Sequence, residues 1–125
     1  MNVIADTDVI AHPAGTTPVV RALSVTIPCY NEEAGLPELH RRVTASCKEV
    51  VGQDYEIILV NDGSRDGTWD RIQALSEADA HVIGVDLSRN FGHQAALTAA
   101  LTLATGQRIF ILDADLRTRP SCWPT

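Results

Sequence analysis

The chain has 125 residues, of which 45% are hydrophobic and 21% charged, so it is long and apolar enough to build one folded domain. Its net charge of −6 argues against a nucleic-acid-binding surface, which normally carries a basic patch. The three cysteines, Cys29, Cys47 and Cys122, have no C-x-x-C spacing, which argues against a zinc site or a disulfide framework and favours a reducing compartment.

The first 21 residues carry no signal for a folded element. They lack a basic region followed by an apolar region, which excludes a typical secretory signal. Pro13, Gly15 and Pro18 lie there among small polar residues. No apolar run in the chain approaches the roughly 18 residues of a transmembrane helix. We therefore predict a flexible leader over residues 1–21, in a soluble, cytoplasmic chain.

A strand and a helix are predicted next. Residues 22–28 (ALSVTIP) are apolar and β-branched and end in a proline, which is typical of a buried strand. A helix is expected within residues 31–51, where apolar side chains recur at spacings of three and four. That stripe consists of Leu36, Leu39, Val43 and Cys47. Gly52 then indicates the end of the helix.

The same alternation continues along the chain. Strands are predicted at residues 55–60, 81–87 and 107–115, and helices at residues 69–79 and within residues 88–106. In the helix at 69–79, we expect Trp69, Ile72 and either Leu75 or Ala78 to face the core. Continuously apolar strands that alternate with helices indicate an α/β fold, in which a parallel sheet of about four strands has helices on both faces.

Polar residues follow each of the four predicted strands. Because right-handed crossovers place the carboxyl ends of parallel strands at one edge, these residues should meet where open α/β sheets bind ligands. The four clusters are Tyr30–Glu32, Asn61–Ser64, Arg89–Asn90 and Asp113–Asp115.

The D-x-D pair, Asp113 and Asp115, is the candidate metal site. Side chains at i and i+2 of an extended segment point to the same side. Carboxylate oxygens suit Mg²⁺ or Mn²⁺, which often also bind substrate phosphates. Such a metal would neutralise a departing diphosphate. An aspartate pair that only caps a turn is the alternative.

The loop NDGSRDGT, residues 61–68, is a second acidic loop. Asp62 would accept hydrogen bonds from a base or ribose, and Gly63 permits a tight turn or a close approach to a ligand. Asp66 is interpreted as the N-cap of the next helix. The loop matches neither the phosphate-binding pattern G-x-x-x-x-G-K-[ST] nor the dinucleotide pattern G-x-G-x-x-G.

Other polar residues at this edge have structural alternatives. Asn31 or Glu32 would cap the following helix, if they do not contact a substrate. Arg89 is a candidate charge-assisted donor to a diphosphate. His93, in the first turn of a helix, is interpreted as a capping or solvent-facing side chain, and Trp69 as a core residue.

Together these motifs resemble one enzyme family. SVTIPCYNEE, EIILVNDGSRDGT, LSRNFGHQAALTAAL and FILDADL are similar to the N-terminal half of family 2 glycosyltransferases of the GT-A fold. The stretch RNFGHQAAL favours the polyprenyl-phosphate branch, which includes dolichol-phosphate mannose synthases and bacterial undecaprenyl-phosphate glycosyltransferases. The resemblance covers about residues 23–116.

The resemblance implies transfer of a sugar from a nucleotide-diphosphate sugar to a polyprenyl phosphate, as in glycan or cell-wall biosynthesis. The full-length form would act at the cytoplasmic face of the membrane, with Mg²⁺ or Mn²⁺ as cofactor. Asp113, Asp115 and Arg89 would serve catalysis, and the two aspartates would hold the metal. Substrate-binding residues would be Pro28, Tyr30, Asn31, Glu32, Asp62, Gly63, Ser64 and Asn90.

Residues 117–125 depart from the family pattern, which continues after the D-x-D as Leu-Gln-Asp-Pro-Pro-Glu. Inserting one base after the Leu116 codon, with suitable third bases, makes the tail read Leu-Gln-Asp-Pro-Pro-Glu-Leu-Leu-Ala-Asp. We therefore hypothesise a single-base deletion, in the gene or in its sequencing, with a natural divergent tail as the alternative. In the sequence as it stands, Arg117 replaces the glutamine of the family pattern and places a positive charge beside the proposed cation.

Two other functions are kept as alternatives. One is a nucleotide-binding α/β module that binds donor but catalyses no transfer. The other is a phosphatase-like hydrolase, because ILDADL superficially matches a D-x-D nucleophile strand. The hydrolase chemistry favours Thr or Val where Arg117 stands, and it favours the first strand rather than the fourth. We therefore expect a glycosyltransferase part that is inactive by itself.

Overall fold

The computed structural model describes residues 2–5 and 21–112, in which strands and helices alternate. The strands are β1 (Asn2–Ala5), β2 (Leu23–Cys29), β3 (Tyr55–Asn61), β4 (Val82–Leu87) and β5 (Arg108–Ile111). The helices are α1 (Leu36–Val51), α2 (Thr68–Ala78) and α3 (His93–Leu103). The four predicted strands and three predicted helices are all present, and β1 is an additional strand.

All strand pairs in the sheet are parallel, in the order β1-β4-β3-β2-β5. From β2 the chain moves through α1 to β3 and through α2 to β4. It then crosses back through α3 to place β5 on the other side of β2. This reversal makes the sheet doubly wound, and in such sheets ligands bind at the carboxyl ends of the strands near the reversal. The predicted α/β architecture is confirmed.

The core has two layers, one on each face of the sheet. Along β3, Tyr55, Ile57 and Leu59 pack with residues of α1 and α2. The alternate residues Ile58 and Val60 pack with α3 on the opposite face. Fully burying one such aliphatic side chain stabilises the fold by about 1.5–3 kcal/mol. A central strand covered on both faces therefore has a continuous run of apolar residues, as residues 57–60 (IILV) do.

The helices largely follow the predicted stripes. In α1, the buried residues include the whole stripe, Leu36, Leu39, Val43 and Cys47. In α2, Ile72 is buried, and Trp69 and Leu75 are partly buried against the core. Ala78 is exposed, so Leu75 rather than Ala78 extends the inward face. Ser76 is also buried, which the apolar pattern did not predict.

Strand β1 differs from the expectation of a leader without regular structure. Residues Asn2–Ala5 pair in parallel with β4, with Asn2 opposite Gly84 and Ala5 opposite Leu87. The four residues, NVIA, do not alternate between polar and apolar side chains, so the sequence gives no strand signal there. Among the described residues, no helix is both long enough and apolar enough to cross a membrane.

Candidate functional site

Three loops meet at the carboxyl edge of the sheet, namely residues 30–35 after β2, residues 62–67 after β3 and residues 88–92 after β4. Strand β5 runs in the same direction along β2, and after it the Leu112 N–H donates to the Thr26 carbonyl at 3.0 Å. Asp113 and Asp115 follow directly in the sequence but lie outside the described residues. The edge therefore brings three of the four predicted polar clusters together.

Asn31 and Ser64 join the first two loops. The Asn31 N–H donates to Ser64 Oγ at 2.9 Å, and the Arg65 N–H donates to Asn31 Oδ1 at 2.9 Å. Asn31 has a backbone φ of 54°, in the left-handed region, which asparagine tolerates better than most residues. Its side chain therefore fixes the relative position of two loops.

The start of α2 is held by carboxylates from both loops. The Gly67 N–H donates to Glu33 Oε1 at 3.0 Å, and the Thr68 N–H donates to Asp66 Oδ1 at 2.9 Å. The N-cap position itself is Gly67, so the prediction of Asp66 as N-cap is wrong by one residue. Glu33 was not predicted, because its contact crosses between loops and leaves no local spacing signal.

The pKa of Asp66 reflects these contacts. Burial opposes ionisation of its carboxyl group, but hydrogen bonds from the hydroxyl and N–H of Thr68 and from the Glu33 N–H outweigh burial and lower the pKa. Asp66 is therefore ionised when it accepts hydrogen bonds at the start of α2.

The predicted helix-capping alternatives for α1 are not what the structure shows. Gly35 is the N-cap, without a side-chain hydrogen bond. Glu32 contributes through its backbone, because its carbonyl accepts from the Gly35 N–H at 3.1 Å and the Leu36 N–H at 3.2 Å. The Glu32 N–H donates in turn to Thr68 Oγ1 at 2.9 Å, which links the first loop to α2.

Asp62 is buried at the centre of the three loops, with 4% of its surface exposed. Its N–H donates to the Cys29 carbonyl at 2.9 Å. Its Oδ1 accepts from the Phe91 N–H at 2.9 Å, which ties β3 to the loop after β4. This is the one hydrogen bond that the Asp62 carboxylate accepts among the described residues, and its predicted contact with a base or ribose stays a prediction.

Gly63 allows two loops to touch. Its φ is 68°, and a Cβ built on it would lie 2.2 Å from the backbone nitrogen of Asn90. The close approach predicted for Gly63 is therefore present, but its partner is the chain's own backbone. Any larger residue would push the loop after β4 away from Asp62.

A second carboxylate, Asp86, was not among the predicted site residues. Asn61 Nδ2 donates to Asp86 Oδ1 at 2.7 Å, and Asn61 Oδ1 accepts from the Ser64 N–H at 3.1 Å. Burial raises the pKa of Asp86, and the hydrogen bond from Asn61 lowers it by less. The available signal was a charged residue inside an otherwise apolar strand.

Arg89 and Asn90 are exposed on the loop after β4. The Arg89 guanidinium lies over the Phe91 ring, 4.4 Å from the ring centroid, which is a cation–π contact. Arg89 takes part in no ion pair within the described part of the chain. Its positive charge is thus exposed at the sheet edge, and its predicted contact with a diphosphate stays a prediction. His93 is the first residue of α3.

Two adjoining cavities lie between these loops. The smaller cavity has a volume of about 210 Å³ and is lined by Pro28, Cys29, Tyr30, Asp62, Asn90 and Gly92. The larger cavity has a volume of about 540 Å³ and shares Tyr30 and Asn90 with the smaller one. It is also lined by Asn61, Gly63, Ser64, Arg65, Trp69, Asp86, Leu87, Ser88 and Arg89.

Most of the predicted substrate-binding residues line one or both cavities. Asn31 and Glu32 line neither cavity, and both hold the loops instead. Trp69 packs partly on the core, as predicted, and also lines the larger cavity. Within residues 2–5 and 21–112, no group of three or more His, Cys, Asp or Glu side chains is arranged to hold a metal ion.

Comparisons with known proteins agree with this arrangement. The family model described as Glycosyl transferase family 2 matches residues 24–125. The undecaprenyl-phosphate 4-deoxy-4-formamido-L-arabinose transferase of Salmonella paratyphi A is 45% identical over 102 residues, which are 81% of this chain and 31% of that protein. The protein of the same name from Salmonella paratyphi B is 44% identical, with the same coverage.

Solved structures share the fold. The crystal structure of S. aureus TarS 1–349 superimposes with a TM-score of 0.64 at 24% identity, covering 74% of this chain and 27% of that chain. The mannosyltransferase PcManGT from Pyrobaculum calidifontis, in complex with GDP-Man and Mn²⁺, has a TM-score of 0.62 at 26% identity. That match covers 83% of this chain and 31% of PcManGT.

These matches also show how much of the relatives and of this chain is covered. The chain spans 31% of the length of the curated relatives described above. The family match continues through residue 125, and so includes residues 117–125, which were predicted to lie outside the family pattern. The single-base deletion after Leu116, in the gene or in its sequencing, stays a prediction, and sequencing the gene again across that codon tests it.

Proposed function

Because the chain belongs to glycosyl transferase family 2, we propose that it forms the donor-binding part of an enzyme that transfers a sugar from a nucleotide-diphosphate sugar to a polyprenyl phosphate. The nucleoside binds across the two adjoining cavities, and Pro28, Tyr30 and Asp62 contact it from the smaller one. The polyprenyl acceptor is supported by the 45% identity to an undecaprenyl-phosphate sugar transferase. The full-length protein would act at the cytoplasmic face of the membrane.

The buried carboxylate of Asp62 is the observation that carries this proposal. A buried carboxylate is costly unless it is hydrogen-bonded, and Asp62 receives one hydrogen bond, from the Phe91 N–H, within the described residues. Because Asp62 lines the smaller cavity, its other oxygen can accept a hydrogen bond from a ligand there. A nucleoside offers such groups, as N–H on its base and O–H on its ribose.

The diphosphate is proposed to lie beyond β2 and β5, where the chain continues to Asp113 and Asp115. These two carboxylates would hold Mg²⁺ or Mn²⁺, and PcManGT, at 26% identity, is bound to Mn²⁺ and GDP-Man. When bound, the cation supplies positive charge for the leaving diphosphate. Arg89 is exposed and has no ion-pair partner in the described residues, but it lines the larger cavity, away from β5, so its predicted charge-assisted hydrogen bond to the diphosphate stays a prediction.

The proposed reaction requires little proton transfer by protein side chains. An oxygen of the lipid phosphate attacks the anomeric carbon of the sugar, and the bond from that carbon to the diphosphate oxygen breaks. The nucleoside diphosphate leaves with the electron pair. Because a phosphate oxygen is already anionic, catalysis rests on positioning the two reactants and stabilising the leaving diphosphate.

A donor-binding module without transferase activity is the second candidate, and the 31% coverage of the relatives favours it for the 125-residue chain. It predicts nucleotide binding without sugar transfer. The phosphatase-like alternative has no support from the family match. Release of nucleoside diphosphate from a nucleotide-sugar by the purified chain, given polyprenyl phosphate, would contradict the prediction that the chain is inactive.

Calorimetric titration with UDP and with GDP, in the presence of Mn²⁺, tests the proposal. We expect the wild-type chain to bind one of them and Asp62→Asn to bind it at least about tenfold more weakly, because a charge-assisted hydrogen bond contributes about 1.5–3 kcal/mol. Asp54→Asn makes the same charge change in the exposed turn before β3 and should leave binding unchanged. Wild-type affinity in Asp62→Asn, or no nucleotide binding by the wild type, would contradict the proposal.

A further inference from the structure

Asp86 is an unusual residue for its position. It lies within β4 and faces the same side of the sheet as Asn61, its partner across the β3–β4 pairing. Its Oδ1 accepts a hydrogen bond from Asn61 Nδ2 at 2.7 Å. Within residues 21–112, no Lys, Arg or His lies at ion-pair distance from it. The carboxylate is therefore half-buried at the wall of the larger cavity without a paired cation.

The local structure does not require a negative charge at this position. An asparagine has nearly the same shape, and its Oδ1 would accept the same hydrogen bond from Asn61. Burial raises the pKa of Asp86, so the ionised form is less stable here than in water. A carboxylate at this position thus lowers stability at neutral pH, where an amide would not.

The location of Asp86 indicates which part of a ligand it meets. The sheet order runs from β5 through β2 and β3 to β4, so the larger cavity lies on the far side of the smaller one from β5. Under the proposed function, on which this inference rests, the diphosphate lies toward β5. The group that reaches past Tyr30 into the larger cavity is then the part of the donor farthest from the diphosphate, which is the base.

We propose that Asp86 is a specificity-determining residue that binds the nucleotide base. Its Oδ2 accepts a hydrogen bond from an N–H group on the edge of the base, while Oδ1 stays bound to Asn61. Asp62 and Asp86 then contact the nucleoside from two adjoining cavities. A base that presents only acceptors at this edge would leave the Asp86 carboxylate buried without a donor. A nucleotide with such a base would therefore bind weakly.

Two measurements on Asp86→Asn test this inference, namely calorimetric titration with UDP and with GDP, and thermal unfolding without ligand. We expect binding at least about tenfold weaker than wild type, because the amide presents a donor to the N–H of the base. The midpoint of thermal unfolding should equal or exceed that of the wild type. Asp54→Asn is the matched control, in which both quantities should stay unchanged.

The outcomes separate the inference from the proposed function. Wild-type affinity in Asp86→Asn, while Asp62→Asn binds weakly, would overturn the role of Asp86 and leave the proposed function intact. Weaker binding together with a lower unfolding temperature would assign Asp86 a structural role and would also overturn the inference. If the wild-type chain binds neither nucleotide, the proposed function fails, and the role of Asp86 fails with it.

Discussion

Asn31 illustrates how a single residue can serve the site without lining it. The sequence places it directly after β2, in the position of a substrate contact, and that role stays a prediction. Its observed contacts are with the second loop, through Ser64 and Arg65. Because these contacts hold Asn31 in a left-handed conformation, they also set the direction in which neighbouring Tyr30 enters both cavities.

Gly63 offers a stringent test of loop packing, because the chain contains a matched control. Gly63 and Gly52 have nearly the same φ, 68° and 66°, but a Cβ added at Gly63 would meet atoms within 4 Å, whereas one added at Gly52 would meet none. Gly52 combines its positive φ with a ψ of −121°, a sparsely populated conformation that costs alanine about 1–3 kcal/mol, and this is the whole cost expected for Gly52→Ala. Gly63→Ala should lower the free energy of unfolding by about 3 kcal/mol or more, since overpacking adds to this strain.

Urea unfolding of the two alanine variants measures the difference. A larger loss in Gly63→Ala would show that contact with Asn90, and not only backbone conformation, requires glycine at this position. Equal losses would show that the loop after β4 moves away from residue 63 without cost. The tight contact between the two loops would then not be a determinant of the site.

The raised pKa of Asp86 gives a prediction for the pH dependence of stability. A carboxyl group whose pKa is higher in the folded state contributes stability below its unfolded pKa, and this contribution is lost as the pH rises through the folded pKa. The side chain in Asp86→Asn does not ionise, so the variant does not lose stability in this way as the pH rises. We therefore expect the variant and the wild type to be equally stable at acidic pH, and the variant to be more stable at neutral pH.

Unfolding temperatures measured from acidic to neutral pH test this expectation. The gain in Asp86→Asn should grow as the pH rises through the raised pKa of Asp86. A gain that stays constant with pH, or a variant that loses stability toward neutral pH, would show that the Asp86 carboxylate is stabilised rather than penalised by its surroundings.

At the scale of the elements, a buried carboxylate also organises the edge opposite the site. Glu56 Oε2 accepts from Ser24 Oγ at 2.6 Å and from the N–H and hydroxyl of Thr105 at 2.7 and 3.1 Å. The Gly106 N–H then donates to Ser24 Oγ at 2.7 Å. This network holds the connection between α3 and β5 against β2, through Ser24, and against β3, through Glu56.

Replacing Glu56 should therefore destabilise the whole sheet. Glu56→Ala removes the acceptor for three hydrogen bonds at a buried position, and each unsatisfied group costs about 1–3 kcal/mol, so we expect a total loss of about 3 kcal/mol. Glu49→Ala, an exposed position on α1, should change stability by less than about 0.5 kcal/mol. Equal urea midpoints for the two variants would refute the structural role of Glu56.

The sequence predicts the elements well where packing is local. The α1 stripe and the apolar strands were recognised because burial on one or both faces imposes a periodicity. Strand β1 was missed because its four residues do not alternate between polar and apolar side chains. The contact of Glu33 with the start of α2 was missed because it joins residues 34 positions apart. Tertiary contacts of this kind leave no pattern in a single sequence.

At the scale of the whole molecule, topology explains why a site forms at one edge. All neighbouring strands are parallel, so the loops that lead from each strand to the next helix lie at the same edge of the sheet. The reversal of strand order at β2 opens a crevice there. The sequence therefore placed Tyr30, Asp62 and Asn90 together correctly. It did not identify Asp86, because its importance depends on a neighbouring strand and on a cavity between two loops.

Nucleotide binding at this edge is tested most directly by amide NMR of the wild-type chain during titration with UDP or GDP and Mg²⁺. We predict that shifts concentrate at the amides of Tyr30, Asp62 and Phe91. The amides of Asp54, Thr105 and Gly106, at the opposite edge, should stay unchanged. The absence of shifts with both nucleotides, or shifts centred on the opposite edge, would contradict nucleotide binding at the carboxyl edge of the sheet.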